Sequence, residues 1–438
     1  MFYNSINNKL DIKKFLDIFF SSIPKNKTLF FPFKFIKIKK NKIFFLKKLN
    51  YSNFAFEISK IFIDNIDDEN LFNIITNSYK NFNHNEVLKI KNISNNNYYL
   101  DLNKGPTLTF KDIAMIPLGK LLNLFSKKID KNFLIFCATS GDTGSSANNS
   151  FKNFEKIKNF TFYPFNMISN IQKKQMTTIN KKNIYNISIL GNFDVSQFLI
   201  KKIFENIKNN KKNFLISVNS INWFRIIMQV VYYCYCSLKE YTYKKINFII
   251  PSGNFGNALS AFIAKKLGFP IDKIITCTND NFYLDNFIKN NCFSNLNIKK
   301  TISPSIDISI PSNLIRLVNF CKINNKNMNN INKNFFSDKI YNKYIINSID
   351  YFYNKFNEIY DPHTITSLSS LFKTNNFNNN IVVSTSYPIK FIFSIKKFLP
   401  NIKINLNIKK LFFLKEKYKI FSQNFSIIIN FIKKKCNV

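Results

Sequence analysis

The sequence predicts an α/β fold in which parallel strands are covered by helices, and three observations carry that prediction. Short apolar, β-branched or aromatic runs recur, each followed by a polar loop and then a longer segment with helical spacing. The clearest are "NFLIFC" before "ATSGDTGSSANNSF", "NFLISV" before "NSINWFRIIMQVVYYCY" and "INFII" before "PSGNFGNALSAFIAKKLG". A fourth, "NIVVS" before "TSYPIKFIFSIKKFL", closes the series. Strand–loop–helix repeats imply crossover connections, which place helices on the faces of parallel sheets. A chain of 438 residues suits two such domains, and 45% apolar residues supply a sizeable core.

In chain order, residues 1–95 form an N-terminal, mainly helical segment. It has helical periodicity in "NKLDIKKFLDIFFSSI", Asn- and Lys-rich connectors and no glycine. A first α/β domain is expected over 96–215 and a second over 216–438. The Asn/Lys-rich stretch 322–339 reads as a surface connector.

The net charge of +39 would suit nucleic acid or an anionic membrane surface. However, 62 of the 64 basic residues are lysine, and they are scattered rather than gathered into a stripe. Asn, Ile, Phe and Tyr are abundant alongside them, and all share A/T-rich codons, so base composition is the plainer account of the charge. Neither a nucleic-acid nor a membrane partner is expected, although the positive field favours small anionic ligands. The seven cysteines, an odd number without any C-x-x-C, give no sign of a disulfide framework or a metal site. No apolar run is long enough to span a bilayer, and Asp11 and Asp17 interrupt the start; a soluble, cytoplasmic protein is expected.

The chain has only eight glycines, and five of them, Gly105, Gly141, Gly144, Gly253 and Gly256, fall in three short loops. Each loop taken singly is an ordinary turn; three together suggest a site. "PSGNFGNA" (251–258), leaving a strand and opening a helix, offers free backbone N–H groups at Gly253, Asn254, Phe255, Gly256 and Asn257: a phosphate cradle. It lacks the endings of nucleotide-binding loops. "ATSGDTGSSA" (138–147) is a second anion-friendly helix start, with hydroxyls at Ser140 and Thr143. Asp142 within it suits a hydrogen bond to a hydroxyl or amine, or a helix cap. In "SVNSINWFRIIMQ", Asn219, Ser220 and Asn222 precede Arg225, one of only two arginines and a natural phosphate or carboxylate clamp. The other, Arg316, lies in "SPSIDISIPSNLIR". For either arginine a surface salt bridge is the plain alternative. Lys111, in "GPTLTFKD", sits where a helix opens, and a positive dipole end there disfavours the ammonium form. An exposed lysine would look the same, but a reactive lysine beside a phosphate loop with no nucleotide motif is what pyridoxal phosphate requires.

Together, "GPTLTFKD", "ATSGDTGSSA", "NSINWFR", "PSGNFGN", "TISPSIDISIPSN", "DPH" (361–363) and "TSYPIKF" (385–391) resemble the threonine synthases in order and spacing over residues 100–395, and "LFFPF" (29–33) fits the family's start. The resemblance implies two three-layer parallel-sheet domains of the pyridoxal-phosphate fold type II, with the cofactor between them. It implies that Lys111 binds pyridoxal 5'-phosphate covalently and moves protons, that Gly253–Asn257 holds its phosphate, that Thr385 faces the pyridine nitrogen and that Asp142 lies near the cofactor. Ser140, Thr143, Asn219, Ser220, Asn222, Arg225 and Lys390 would contact the substrate, O-phospho-L-homoserine. The reaction implied is γ-elimination of phosphate and β-addition of water to give L-threonine. The chain departs from the family pattern at Lys104, Met167 and Tyr387, and for His363 a packing or capping role competes with catalysis. The alternatives are another lyase or dehydratase of the same fold, an inactive relative, or a basic surface-binding protein. Either a monomer or a homodimer is compatible with the sequence.

Overall fold

The computed structural model describes residues 1–5, 8–21, 29–82, 86–94, 96–207, 209, 212–239, 245–292, 297–323, 333–373, 379–402 and 406–436. Fourteen strands are present among them. The first five are β1 (Tyr3–Ser5), β2 (Asn8–Lys13), β3 (Phe30–Pro32), β4 (Lys89–Ser94) and β5 (Asn97–Asp101). Next come β6 (Asn132–Ala138), β7 (Ile157–Pro164), β8 (Ile184–Ile189) and β9 (Asn213–Ser217). The last are β10 (Ile246–Pro251), β11 (Ile271–Thr278), β12 (Phe335–Lys339), β13 (Asn380–Ser384) and β14 (Lys419–Phe421).

The chain forms two compact units. One comprises Met1–Ala114, Ser220–Pro388 and Phe393–Pro400; the other comprises Met115–Asn219, Ile389–Ile392 and Asn401–Val438. This division is not the contiguous one expected at residues 95 and 215. The reason is strand pairing. β5 lies beside β13, with Asp101 opposite Ser384, so residues near 100 join the sheet built from residues 246–384. β14 lies beside β8, which returns the end of the chain to the sheet of residues 132–217.

The first unit holds a sheet in the order β12-β11-β10-β13-β5-β4, parallel except for the edge strand β4. All six residues of β10 are buried, as a central strand covered on both faces requires. β12 falls within the stretch expected to be a connector. Phe335 is buried there against Phe255 and Phe262, at ring-centroid distances of 5.1 and 5.5 Å, and this packing overrides the polar composition around it. Residues 324–332 of that expected connector lie outside the described residues.

The N-terminal segment is helical as expected, with a three-stranded sheet (β2-β1-β3) added. Its helix Tyr51–Phe62 is capped by the Asn50 side chain, which accepts the Asn53 N–H at 3.0 Å. It buries Phe54, Ala55, Ile58 and Phe62, a helical stripe, against the helix Trp223–Leu238. Trp223 is enclosed by Tyr3 and Phe31, ring centroids 5.8 and 5.6 Å away. Each such burial contributes about 1.5–3 kcal/mol, which makes this segment part of the unit's core.

The second unit holds the all-parallel sheet β14-β8-β7-β6-β9. Phe136, Phe160 and Tyr185 stack across its adjacent strands at 5.3 and 4.8 Å, and Ile203, Ile428 and Ile432 cover them. Among the described residues no helix is long and apolar enough to cross a membrane.

Candidate active site

In open parallel sheets, ligands bind beyond the carboxyl ends of the strands, where helix N-termini and loop amides gather. β5, β13 and β10 are neighbours with a common direction, and the chemistry-bearing loops leave their carboxyl ends. The chain leaving β5 folds over Asp112, whose carboxylate accepts the Thr107 N–H at 2.8 Å and the Thr107 hydroxyl at 2.5 Å. A Cβ on Gly105 would collide with that Asp112 side chain, so glycine lets the loop close. Leu108 adopts a left-handed backbone, φ 59°. The next residues cross the chain leaving β13. Phe110 donates its N–H to the Thr385 carbonyl at 3.0 Å, the Thr109 hydroxyl donates to the same oxygen at 3.2 Å, and Tyr387 donates to the Leu108 carbonyl at 3.1 Å. Lys111 follows directly, half-buried, with its Nζ 5.0 Å from the centre of the Phe110 ring, and the helix Asp112–Lys128 begins one residue later.

The loop leaving β10 is a ring of donors. Among the described residues the backbone N–H groups of Gly253, Asn254, Phe255, Gly256 and Asn257 make no backbone hydrogen bond. Phe255 takes φ 60°, unusual for a bulky residue, just before the helix Gly256–Lys266. Asn257 accepts hydroxyl hydrogen bonds from Tyr233, at 2.7 Å, and from Tyr232 on its Oδ1, which fixes Nδ2 as a buried donor without a partner among the described residues. Donors without acceptors suit an anion. Backbone closely abuts the loop, since a Cβ on Gly253 would lie 2.7 Å from the Ser305 carbonyl oxygen. This donor set, with an amine at Lys111 and a hydroxyl at Thr385 on the same sheet edge, fits a phosphorylated aldehyde such as pyridoxal phosphate.

The segment 303–316 braces that loop. Ser312 donates its N–H to Asn254 Oδ1 at 2.6 Å, and Asn313 Nδ2 donates to the Asn254 carbonyl at 3.1 Å. Ser220 Oγ accepts from Asn254 Nδ2 at 2.5 Å and from Asn313 Nδ2 at 3.2 Å, so Ser220 is tied to the cradle. His363 has a defined tautomer. Its Nε2 accepts the Ser305 N–H at 3.0 Å, so the proton sits on Nδ1, 2.7 Å from Asp361 Oδ1. It therefore ties the 303–307 turn to the start of the helix Pro362–Lys373.

In the second unit, the 138–147 loop is closed by Thr139, whose Oγ1 accepts the Gly141 and Gly144 N–H groups at 2.9 and 3.0 Å. Gly141 has φ 128°, and a Cβ there would strike Gln172. Asp142 Oδ1 accepts from Gln172 Nε2 at 2.8 Å and pairs with Lys390 Nζ at 2.9 Å, and both charged groups are buried. Two residues expected at ligands thus bond each other, and the helix cap falls on Gly141 rather than Asp142. Asn219 closes a two-way hydrogen bond with the Ala138 backbone, at 3.1 and 2.7 Å.

In the first unit Asn222 caps the helix Trp223–Leu238 by accepting the Phe224 N–H at 3.1 Å, and Arg225 is buried on that helix's first turn. Lys104 pairs with Asp101 at 2.8 Å. Tyr387 is exposed; in the second unit Met167 is exposed too. The sequence reading missed Asp112 and Asn313, whose residue types are ordinary and whose partners only the fold reveals.

Anion-accepting loops at the carboxyl ends of parallel strands, with a lysine on the same edge, define the class of α/β enzymes that hold small anionic ligands there. The family model for the threonine synthase N terminus matches residues 2–79. The chain is 34% identical over 320 residues to the threonine synthase of Pseudomonas aeruginosa, covering 73% of this chain and 68% of that one. It is 30% identical over 423 residues to that of Schizosaccharomyces pombe, covering 83% and 82%. Its fold is similar to the crystal structure of PLP-bound threonine synthase from Brucella melitensis, with a TM-score of 0.90 and 25% identity across the whole of both chains. The chain belongs to the threonine synthase family.

Proposed function

We propose that this chain converts O-phospho-L-homoserine and water to L-threonine and phosphate with pyridoxal 5'-phosphate. The observation that carries the reading is the shared edge of β5, β13 and β10, which holds Lys111, Thr385 and the Gly253–Asn257 donors. The cofactor, when bound, supplies an electron sink for carbanion chemistry. Lys111 Nζ is its attachment point and the base that moves protons at the substrate's carbon atoms. Five loop amides and Asn257 Nδ2 take the cofactor phosphate, and the Thr385 hydroxyl meets the pyridine nitrogen as a neutral partner.

The second phosphate is the substrate's. Arg225 and Ser220 are proposed for it, and the Ser140 and Thr143 hydroxyls for the substrate's carboxylate. Asn222 and Asn219 orient these contacts through the hydrogen bonds they make to backbone. Asp142 and Lys390 keep the 138–147 loop in shape. A clamp for a phosphate ester separates this reading from a dehydratase acting on free hydroxyamino acids, which would have no use for it.

The test is direct. Purified protein is loaded with pyridoxal phosphate, reduced with borohydride and digested, and the labelled peptide is mapped; phosphate release from O-phospho-L-homoserine is measured together with threonine formation. Label on Lys111 with matched phosphate and threonine is the expected result. Label on another lysine, or threonine formation that survives Lys111→Ala, overturns it.

A further inference from the structure

Arg316 is the unexplained charge of the first unit. Its side chain is 1% exposed, and its guanidinium carbon lies 5.3 Å from the centre of the Trp223 ring. Its two hydrogen bonds go to neutral oxygens: Nη1 donates to Asn313 Oδ1 at 2.7 Å and Nη2 to the Ile221 carbonyl at 2.6 Å. Among the described residues no carboxylate pairs with it, and burial alone pushes its pKa down to about 9. Buried cations are ordinarily paired, because desolvation is costly without a counter-charge. The missing negative charge has an evident position. Asn313 Oδ1 is taken by Arg316, so Asn313 Nδ2 must point its protons the other way, to the Asn254 carbonyl and Ser220 Oγ. That same Nδ2 lies 3.2 Å from where a Cβ on Gly256 would sit, against the donor loop itself.

We propose that Arg316 is the buried counter-cation of the phosphate monoester taken up by the Gly253–Asn257 loop, acting through Asn313 as a positioning residue. The proposal rests on reading that loop as the cofactor-phosphate cradle. A buried positive charge one amide away strengthens every N–H donor facing a dianion, and the dianion in turn relieves the cost of burying the arginine. The arginine is therefore expected to discriminate for the phosphate and to contribute little to recognition of the ring.

The test compares pyridoxal phosphate with pyridoxal, by equilibrium dialysis, on the full chain and on Arg316→Met, Arg316→Lys and Arg316→Gln. The wild type should bind the phosphorylated form more tightly. Arg316→Met should lose about tenfold or more of that preference with pyridoxal binding unchanged. Arg316→Lys, which keeps the charge, should retain most of it. Arg316→Gln, polar but uncharged, leaves the Asn313 brace to Asn254 and Ser220 in place, so it should lose the preference as Arg316→Met does, and it decides the matter if Arg316→Met does not fold. Arg316→Met that keeps the preference overturns the proposal. So does equal loss of both ligands, which would mark a merely structural arginine. If the wild type shows no preference for the phosphorylated form, the cradle reading falls as well, a result distinct from the other two.

Discussion

Phe110 and Thr385 are joined through backbone: the Phe110 N–H donates to the Thr385 carbonyl at 3.0 Å. The bond uses the carbonyl, as does that from the Thr109 hydroxyl, so the Thr385 side chain is not needed to place Lys111. Thr385→Val, which keeps shape and loses only the hydroxyl, should leave thermal stability nearly unchanged. It should weaken cofactor binding by about two- to tenfold, the worth of one neutral hydrogen bond. Titration with pyridoxal phosphate alongside a melting curve separates the two effects. A large stability loss with no change in cofactor binding would place the hydroxyl in the fold rather than in the site.

Gly253 is fixed by its neighbour rather than by its own dihedral angles. A Cβ there would meet the Ser305 carbonyl oxygen at 2.7 Å and the Ile306 Cα at 3.0 Å, both backbone atoms of a turn that His363 holds through the Ser305 N–H. Backbone cannot swing aside as a side chain can. Gly253→Ala should cost about 1–3 kcal/mol of stability, and cofactor binding should suffer with it because the donor loop must shift. Ser305 is the relief point, but its carbonyl survives any substitution, so Ser305→Gly should not rescue the variant. Denaturant melts and cofactor titration of the single and double variants check both statements.

The cradle was legible in the sequence because its parts are contiguous. Glycines are rare in this chain, and a strand, a Gly/Asn turn and a helix follow one another from Ile246 to Lys266. Lys111 was legible through the same contiguity. What braces the cradle was not. Arg316 reaches the Ile221 carbonyl 95 positions away in the chain, and Ser305 meets His363 58 positions away. Local pattern encodes which residues are polar and which turn, but not which distant polar groups meet. β12 was hidden for a related reason: its buried Phe335 draws on Phe255 and Phe262, while Asn- and Lys-rich residues dominate the local composition. Lys390 has a partner that local pattern does not encode either: the fold pairs it with Asp142, 248 positions away.

That pair makes its own prediction. Lys390 and Asp142 are 0% and 2% exposed, and their ion pair also receives the Gln172 amide on the same carboxylate oxygen. Removing one charge strands the other in a dry interior, so Asp142→Asn and Lys390→Met should each cost about 3–5 kcal/mol. The double variant should lose much less than the sum, since no buried charge is left unpaired. A double-mutant cycle in urea measures this. Additive losses would show that the pair is hydrated and its coupling weak.

Alkaline pH should unfold the protein through its buried tyrosines. Burial holds the phenols of Tyr3, Tyr51, Tyr79, Tyr99, Tyr232 and Tyr233 well above the ordinary tyrosine range. Tyr3 donates to the Phe62 carbonyl at 2.6 Å and Tyr79 to the Ile113 carbonyl at 3.0 Å, bonds that only the protonated phenol can make. The sign follows from the protons bound. Below about pH 10 both folded and unfolded chains keep these protons. Above it the unfolded chain releases them while the folded chain does not, so the unfolded state binds fewer protons and stability falls as pH rises. Each such tyrosine removes about 1.4 kcal/mol per pH unit until its folded-state value is reached. Several together exceed a net stability of about 5–15 kcal/mol within a unit or two. Tyrosinate absorbance from this group should therefore appear in one cooperative step that coincides with loss of helical circular dichroism. If these phenols instead titrate smoothly near pH 10 while the helical signal persists, they are not enclosed as the structure has them.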